Sequence, residues 1–160
     1  MNGFILWIAQ GFGAGRIPFA PGTFGSLLGL LWFYLLLRTD NFWLYLAGTF
    51  VGLALSVWLC GKAERILNQT DPGSIVLDEI TAMPLCFILT IGVPWFRRGE
   101  LPNPHWLFTL VIFVLFRIMD IAKPWPIRHS QKLRGGWGVT IDDALAAIYT
   151  AAVSALALVR

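Results

Sequence analysis

Five apolar stretches separated by short polar segments dominate the hydrophobic pattern of the chain. They cover residues 27–37 (extendable upstream to Phe24), 42–60, 80–95, 106–119 and 144–159. Hydrophobicity is nearly all-round in each stretch and does not alternate, so the pattern predicts helices. A membrane span needs about 20 apolar residues, and residues 42–60 have that length without a charge. We therefore expect an all-α, polytopic membrane helix bundle with four to five spans.

Two local features refine this prediction. Pro84 lies near the start of the third stretch, where a kink is expected. Residues 4–9 are apolar but too short for a secretory signal or a span, so they predict a short N-terminal interfacial helix or loop. The length fits one domain, residues 1–160, and we find no internal repeat.

Composition supports burial in a bilayer. Hydrophobic residues make up 57% of the chain and charged residues only 13%, whereas a soluble domain carries roughly 25% charged residues. The eight Trp also fit, because indole side chains favour the membrane–water interface. The lipid bilayer is therefore an expected partner, and the sequence does not indicate the oligomeric state.

Charge and cysteine content exclude other classes. The chain has a net charge of +3, but it contains no block of like charge and no nucleic-acid-binding signature. We therefore expect no nucleic-acid partner. Cys60 and Cys86 lie inside apolar stretches without a CxxC pair. Packed core thiols are therefore expected, with no zinc or redox motif.

Basic residues are distributed unequally between the two sides that five spans define. The side holding the N-terminus, residues 61–79 and residues 120–143 carries eight cations: Arg16, Lys62, Arg65, Arg117, Lys123, Arg128, Lys132 and Arg134. The opposite side carries four: Arg38, Arg97, Arg98 and Arg160. The positive-inside rule predicts that the side with eight cations is cytoplasmic.

Five of the nine carboxylates lie at the ends of predicted spans on this cationic side: Asp78, Glu79, Asp120, Asp142 and Asp143. A carboxylate there is costly unless it is paired or binds a metal. The other four, Asp40, Glu64, Asp71 and Glu100, are expected in solvated loops. Because Mg²⁺ takes carboxylate, phosphate and water oxygens, the five residues are candidate metal ligands.

Neighbouring carboxylates need not share one role. Asp142 and Asp143 are adjacent, so on one helix their side chains point about 100° apart and only one is expected to face the common centre. The other could be a second ligand, a supporting partner or the N-cap of the fifth helix, and this last alternative favours Asp142.

A charged segment covers residues 116–128 (FRIMDIAKPWPIR). Arg117, Asp120 and Lys123 are spaced at i, i+3 and i+6, which places them close to one helical face. Pro124 is expected to end the helix. A metal carboxylate between two phosphate-binding cations and a set of internal salt bridges with snorkelling cations both fit this spacing.

Two glycine-rich segments are weaker signals. Residues 11–26 (GFGAGRIPFAPGTFGS) lack a preceding strand, so a nucleotide fold fails. Thr23 and Ser26 precede the first span, where they could cap a helix or support a phosphate at its N-terminus. A structural turn is the simpler interpretation. Residues 135–138 (GGWG) indicate only a flexible approach to Asp142.

Other phosphatase chemistries lack their residues. Cys60 is followed by Arg65 at the wrong spacing for a cysteine phosphatase, and no Asp-x-Asp pattern of aspartyl-phosphate enzymes occurs. His105 and His129 lie on opposite predicted faces, which disfavours a histidine nucleophile. By elimination, metal-activated water is the remaining hydrolytic mechanism.

The chain resembles the phosphatidylglycerophosphatase A family in four motifs. They are residues 11–15 (GFGAG) with 21–26 (PGTFGS), 73–79 (GSIVLDE), 116–128 (FRIMDIAKPWPIR) and 135–143 (GGWGVTIDD). The motifs occur in the family's order and cover most of the chain. The resemblance implies a Mg²⁺-dependent hydrolase that removes the terminal phosphate of phosphatidylglycerophosphate in the bacterial inner membrane, with the active site facing the cytoplasm.

Combined with this resemblance, the residue chemistry gives a set of expected roles. Asp78, Glu79, Asp120, Asp142 and Asp143 are expected to bind metal or orient water, and the expected catalytic set is Asp78, Glu79, Asp120, Asp143 and Lys123. The phospholipid substrate is expected to contact Thr23, Ser26, Arg117, Lys123 and Arg128, with Thr23 a remote candidate nucleophile. The rival hypotheses are a transporter, another lipid-head-group enzyme, or a non-catalytic lipid-binding module whose carboxylates form structural salt bridges.

Overall fold

The computed structural model describes residues 2–131 and 133–158, and these residues form helices without any strand. The elements in chain order are α1 (Asn2–Ala9), a 3-10 turn (Gly11–Arg16), α2 (Pro21–Leu37), α3 (Phe42–Leu67), α4 (Leu77–Ala82), a 3-10 segment (Met83–Phe87), α5 (Ile88–Arg98), α6 (Trp106–Ala122), α7 (Ile127–Ser130) and α8 (Gly136–Leu158). The all-α prediction is confirmed. Lys132 and Arg160, which entered the charge count, lie outside the described residues.

Three helical segments are long and apolar enough to cross a membrane: Phe42–Leu67, Leu77–Arg98 and Gly136–Leu156. The chain is therefore a membrane protein. The predicted four to five spans exceed this number because α2 and α6 have only 17 residues each. At 1.5 Å per residue such a helix is about 26 Å long, shorter than a hydrocarbon core of roughly 30 Å.

The second of these segments changes its helical geometry at Pro84. Proline lacks the backbone N–H that would continue the α-helical ladder, and a 3-10 segment separates α4 from α5 at this point. The hydroxyl of Tyr45 on α3 donates a hydrogen bond to the carbonyl oxygen of Pro84. This hydrogen bond ties α3 to the 3-10 segment inside the apolar core.

Aromatic and small residues build the core between the helices. Phe33 of α2 stacks on Phe87 with ring centroids 3.9 Å apart, and Tyr45, Ile112 and Phe116 belong to the same buried cluster. Cys60 and Cys86 are buried free thiols, as the sequence predicts.

Helices α3 and α8 cross at two glycines, Gly61 and Gly136. A Cβ atom added to Gly136 would lie 1.9 Å from the carbonyl oxygen of Val57 and 2.6 Å from the amide nitrogen of Gly61. The two backbones therefore touch, which only residues without a side chain permit.

Three helix boundaries differ from the predicted ones, and each changes the role of a polar residue. Helix α8 begins at Gly136, well before Asp142, so Asp142 is not a helix cap. Helix α2 begins at Pro21 without a side-chain cap, so Thr23 and Ser26 lie inside the helix.

Helix α3 continues to Leu67 and contains Glu64, which is 8% exposed and accepts a hydrogen bond from the amide of Asp71 at 2.8 Å. The solvated loop expected for Glu64 is therefore wrong.

Candidate metal and phosphate site

Three carboxylates from two helices meet at one end of the bundle. Asp78 and Glu79 lie in the first turn of α4, and Asp143 lies on α8. Each offers one oxygen atom, and these three atoms all lie within 4.8 Å of one another. Asp78 is 5% exposed and Asp143 is 3% exposed, so the negative charges are concentrated where water is scarce.

The oxygen atoms of this cluster fit a metal ion. Oδ1 of Asp78 and Oε2 of Glu79 are buried without a hydrogen-bond partner among the described residues. A buried carboxylate oxygen without a partner is costly, and a cation placed between the carboxylates would remove that cost. An all-oxygen donor set is the one that hard divalent cations prefer. The arrangement can therefore hold a hard divalent cation.

Arg117 joins three helices at the edge of the cluster. Its Nη1 atom lies 2.9 Å from Asp120 on α6 and 3.7 Å from Glu79 on α4. The same atom donates a hydrogen bond to the hydroxyl of Ser26 on α2, at 3.2 Å. Arg117 therefore offsets part of the negative charge and fixes the distance between α2 and α6.

Helix α2 can approach this ion pair because Gly22 has no side chain. A Cβ atom at Gly22 would lie 2.2 Å from Oε1 of Glu79 and 3.0 Å from Nη2 of Arg117. The glycine motif at residues 21–26 therefore belongs to the first two turns of α2, and its function is close packing against the charged groups.

Lys123 is the second cation of the site. It ends α6 in a left-handed conformation with φ of 42°, and its ammonium lies 2.6 Å from Oδ2 of Asp142. Burial lowers the pKa of Lys123, but the hydrogen bond to Asp142 and the neighbouring carboxylates outweigh it, so the net pKa is raised. The side chain is therefore positively charged at neutral pH.

Gln131 holds Asp142 from the other side. Its amide nitrogen donates to Oδ2 of Asp142 at 3.0 Å and lies 3.4 Å from Oδ2 of Asp71. This contact connects the loop after α7 to the loop between α3 and α4. Gln131 therefore closes one side of the acidic cluster.

The carboxylates and Lys123 surround a cavity of about 240 Å³. It is lined by Asp71, Gly73, Ile75, Asp78, Glu79, Asp120, Ile121, Lys123, Asp142 and Asp143. A water molecule occupies about 30 Å³ of liquid volume, so the cavity has room for a phosphate group, a metal ion and water. All five predicted carboxylates and Lys123 line this one space.

Other predicted substrate contacts lie outside the cavity. Ser26 reaches the site only through Arg117. Thr23 is half-buried on α2, and no hydrogen bond of its hydroxyl is found among the described residues. Arg128 is exposed on α7 and does not line the cavity. Substrate contacts for Thr23 and Arg128 stay predictions.

Sequence patterns did not indicate three polar residues that are connected to the site by hydrogen bonds: Glu64, Asp71 and Gln131. A glutamine in a loop has no distinctive spacing, and Asp71 is separated from the predicted acidic pair by six residues. The helical position of Glu64 could have been predicted, because the charged residues after the apolar stretch 42–60 follow it without a helix breaker.

The cavity, lined by clustered carboxylates and a lysine at one end of membrane helices, defines a membrane protein with a candidate site for a cation and an anion. Comparison with known proteins identifies the family. The model of the phosphatidylglycerophosphatase A family matches residues 7–158, and the chain belongs to this family.

Curated relatives cover most of the chain. A phosphatidylglycerophosphatase A of Haemophilus influenzae is 40% identical over 147 residues, which are 91% of this chain and 83% of the relative. The phosphatidylglycerophosphatase A of Escherichia coli is 36% identical over 148 residues, 91% of this chain and 78% of the relative. A Bacteroides thetaiotaomicron protein named "Putative phosphatidylinositol-3-phosphatase" is 35% identical over 155 residues, 94% and 91% of the two chains. No solved structure matches the chain significantly.

Proposed function

We propose that the chain hydrolyses the terminal phosphomonoester of phosphatidylglycerophosphate and releases phosphatidylglycerol and phosphate. The observation that carries this proposal is the buried cluster of Asp78, Glu79 and Asp143, which shares one cavity with the Lys123 ammonium. Membership of the family and the names of two relatives support the choice of substrate.

We assign Mg²⁺ as the cofactor and Asp78, Glu79 and Asp143 as its protein ligands, with Asp142 as a neighbouring carboxylate held by Lys123. When bound, Mg²⁺ supplies charge neutralisation for the phosphate and lowers the pKa of a coordinated water. The two carboxylate oxygens without hydrogen-bond partners support this assignment.

The cations of the chain position the phosphomonoester. Lys123 lines the cavity and donates to the phosphate oxygens, while Arg117 stabilises negative charge from its place beside Asp120 and Glu79. Asp120 lines the cavity outside the three-carboxylate cluster and is held by Arg117 at 2.9 Å. We assign Asp120 as the base that takes one proton of the attacking water and then gives it to the glycerol oxygen as the bond between phosphorus and that oxygen breaks. Ser26 supports Arg117.

We place the protein in the bacterial inner membrane with this cavity facing the cytoplasm. The excess of arginine and lysine on the side of residues 61–79 and 120–143 supports the orientation. Phospholipid head groups would then reach the cavity from the leaflet that contains them.

The direct test is phosphate release from phosphatidylglycerophosphate by the purified protein in detergent, with Mg²⁺ and then with chelator. We expect release that depends on Mg²⁺ and returns when the ion is restored. Absence of metal-dependent release, from protein shown to be folded by its thermal unfolding, would reject the proposal. A transporter or a lipid-binding module predicts that outcome.

A second substrate follows from the name of the Bacteroides relative. Phosphatidylinositol 3-phosphate also presents a phosphomonoester on a polyol head group, so the same cavity chemistry applies to it. Parallel assays with both lipids at equal surface concentration separate the two. We expect the higher kcat/KM for phosphatidylglycerophosphate, because the matching family and two of the three relatives described above are named for that activity.

A further inference from the structure

A second polar cavity adjoins the carboxylate cavity. It has a volume of about 620 Å³, and its lining includes Arg65, Asn68, Gln69, Gln131 and Arg134. The two spaces share a wall, because the Gln131 side chain that lines the second cavity also bonds Asp142 in the first. The two polar spaces are therefore neighbours on either side of Gln131.

The second cavity has the charge of an anion site. Arg65 donates from Nε to the carbonyl of Gly61 at 3.0 Å, which fixes its side chain at the end of α3. No salt bridge of Arg65 or Arg134 occurs within residues 2–131 and 133–158. Glu64 also lines the cavity, but one of its oxygens is used by the amide of Asp71. Guanidinium and carboxamide donors are the groups that bind phosphate oxygens.

Residues typical of the membrane interface lie near the ends of α3 and α8 that border this cavity. Trp58 on α3 is 53% exposed, and the ammonium of Lys62 lies 3.9 Å from the centroid of its ring. Trp137 in the first turn of α8 is 59% exposed. Tryptophan and lysine favour the head-group layer of a bilayer. These side chains favour the head-group layer for the end of α3 and the start of α8, and the phosphodiester of a phospholipid lies in that layer.

We propose that Arg65 and Arg134 bind the phosphodiester of the lipid substrate while its phosphomonoester lies in the carboxylate cavity. This inference rests on the proposed function, and it specifies the substrate class: lipids whose head group carries a phosphomonoester separated from the phosphodiester by a polyol. A lipid with a single phosphate attached directly to diacylglycerol, such as phosphatidic acid, cannot fill both cavities and is a poor substrate.

The kinetic test replaces Arg65→Gln and Arg134→Gln, singly and together. We expect KM for phosphatidylglycerophosphate to rise about tenfold for each change, since a hydrogen bond to a charged group contributes on that scale, while kcat stays unchanged. The control is Arg97→Gln with Arg98→Gln, which removes the same charge from the exposed end of α5. A fall in kcat at constant KM, or equal effects in the control, would overturn the proposal.

Two inhibitors separate the cavities. Inorganic phosphate probes the carboxylate cavity, so its inhibition constant is expected to be the same in the double variant. Phosphatidylglycerol retains the phosphodiester, so its inhibition is expected to weaken about tenfold or more. Equal weakening of both inhibitors, or of neither, contradicts the assignment.

A binding measurement keeps the inference separate from the proposed activity. Retention of phosphatidylglycerol relative to phosphatidylcholine can be measured by mass spectrometry of the purified protein, with no turnover. We expect the preference for phosphatidylglycerol in the native protein and its loss in the double variant. Loss of preference with phosphate release absent in both proteins would reject only the activity, whereas an unchanged preference would reject the phosphodiester site.

Discussion

Buried carboxylates differ in how their charge is balanced. Asp120 and Asp142 each contact a cation, at 2.9 Å and 2.6 Å, whereas Asp78 and Asp143 have no salt bridge within the described residues. Because these carboxylates lie close together, the cationic side chains of the protein compensate only part of their negative charge. This imbalance is the residue-level reason to expect a bound cation.

The first prediction separates ligands from the base. Asp78→Asn and Asp143→Asn are expected to lower turnover at least about 10²-fold, the scale for loss of one catalytic electrostatic group, and to raise the Mg²⁺ concentration needed for half-maximal activity. Asp120→Asn is expected to lower turnover to a similar degree without changing that Mg²⁺ concentration. The measurement is a Mg²⁺ titration of phosphate release for each variant.

The matched control is Asp40→Asn, because Asp40 is exposed in the loop between α2 and α3. Its turnover and Mg²⁺ requirement should equal those of the native protein. Full activity in the Asp78, Asp120 and Asp143 variants together would contradict the site assignment.

A second prediction concerns the approach of α2 to the ion pair. Gly22→Ala places a methyl group 2.2 Å from Glu79 Oε1, so Glu79 and Arg117 must shift. We expect a stability loss of about 1–3 kcal/mol, typical of overpacking, and a lower kcat. Thermal unfolding in detergent and phosphate release measure the two effects.

Gly3→Ala is the control for this change, since no atom lies within 4 Å of a Cβ built at Gly3. It should leave both measurements unchanged. A Gly22→Ala protein with native stability and activity would show that the close approach is not needed.

At the residue scale, the sequence indicates the charged groups and not their partners. The five carboxylates and Lys123 were predictable because charges are rare next to apolar stretches. The contact of Gln131 with Asp142 was not predictable, because it joins a loop residue to a helix through the tertiary fold. Pairing of Arg117 with Asp120 followed from i, i+3 spacing, but its contact with Ser26 did not.

Among the helical elements, the crossing of α3 and α8 sets the positions of the two carboxylates on α8, Asp142 and Asp143. Because Gly61 and Gly136 allow backbone contact, α8 presents Asp143 to the start of α4. Gly136→Ala would place Cβ 1.9 Å from the Val57 carbonyl oxygen, where only a backbone shift can relieve the clash. We expect a loss of about 3 kcal/mol, at the upper end for overpacking, measured by thermal unfolding in detergent.

Gly73→Ala provides the comparison for Gly136→Ala, because a Cβ at Gly73 meets no atom within 4 Å. Its unfolding temperature should match that of the native protein. Equal stability of the two alanine variants would mean that α3 and α8 tolerate a wider separation.

Tyr45 and Pro84 give a further prediction at this scale. Tyr45→Phe removes the hydrogen bond to the Pro84 carbonyl oxygen and keeps the ring in the core. The expected cost is about 1 kcal/mol, the usual net contribution of one hydrogen bond, with phosphate release unchanged. A large loss of activity would instead show that the 3-10 segment controls the position of Asp78 and Glu79.

Helix positions were predictable from the apolar stretches, whereas helix ends were not. Glycine and polar residues at 136–143 suggested a loop, yet tertiary contact with α3 makes them helical. The same argument applies to residues 21–26, where small residues suggested a turn and form the start of α2. Close helix packing overrides local propensity at both places.

On the scale of the whole molecule, orientation in the bilayer is open to a direct test. Native Cys60 and Cys86 are buried, so an added surface cysteine gives the labelling signal. Thr70 and Asn103 are exposed in loops before α4 and α6, on opposite ends of the predicted topology. We expect a membrane-impermeant maleimide to label Thr70→Cys in inverted vesicles and Asn103→Cys in right-side-out vesicles. The reverse pattern would place the cavity outside the cytoplasm.

The charge bias that predicts this orientation needed only the loop sequences, and the family resemblance covered most of the chain. The predicted number of spans is slightly higher than the three long segments, because apolar composition does not show that α2 and α6 are only 17 residues long. Helix α6 still returns to the end of the bundle where α4 starts, since Asp120 and Asp78 line one cavity. The second polar cavity is likewise a property of the assembled bundle, since Arg65 and Arg134 are far apart in sequence.

Asp142 and Asp143 lie on α8, which follows every other helix of the site along the chain. During synthesis, the earlier helices therefore enter the membrane with an incomplete ligand set. The proposed metal site needs Asp143, so it is complete only when α8 docks on α3. We therefore expect a product terminated before α8 to lack phosphatase activity.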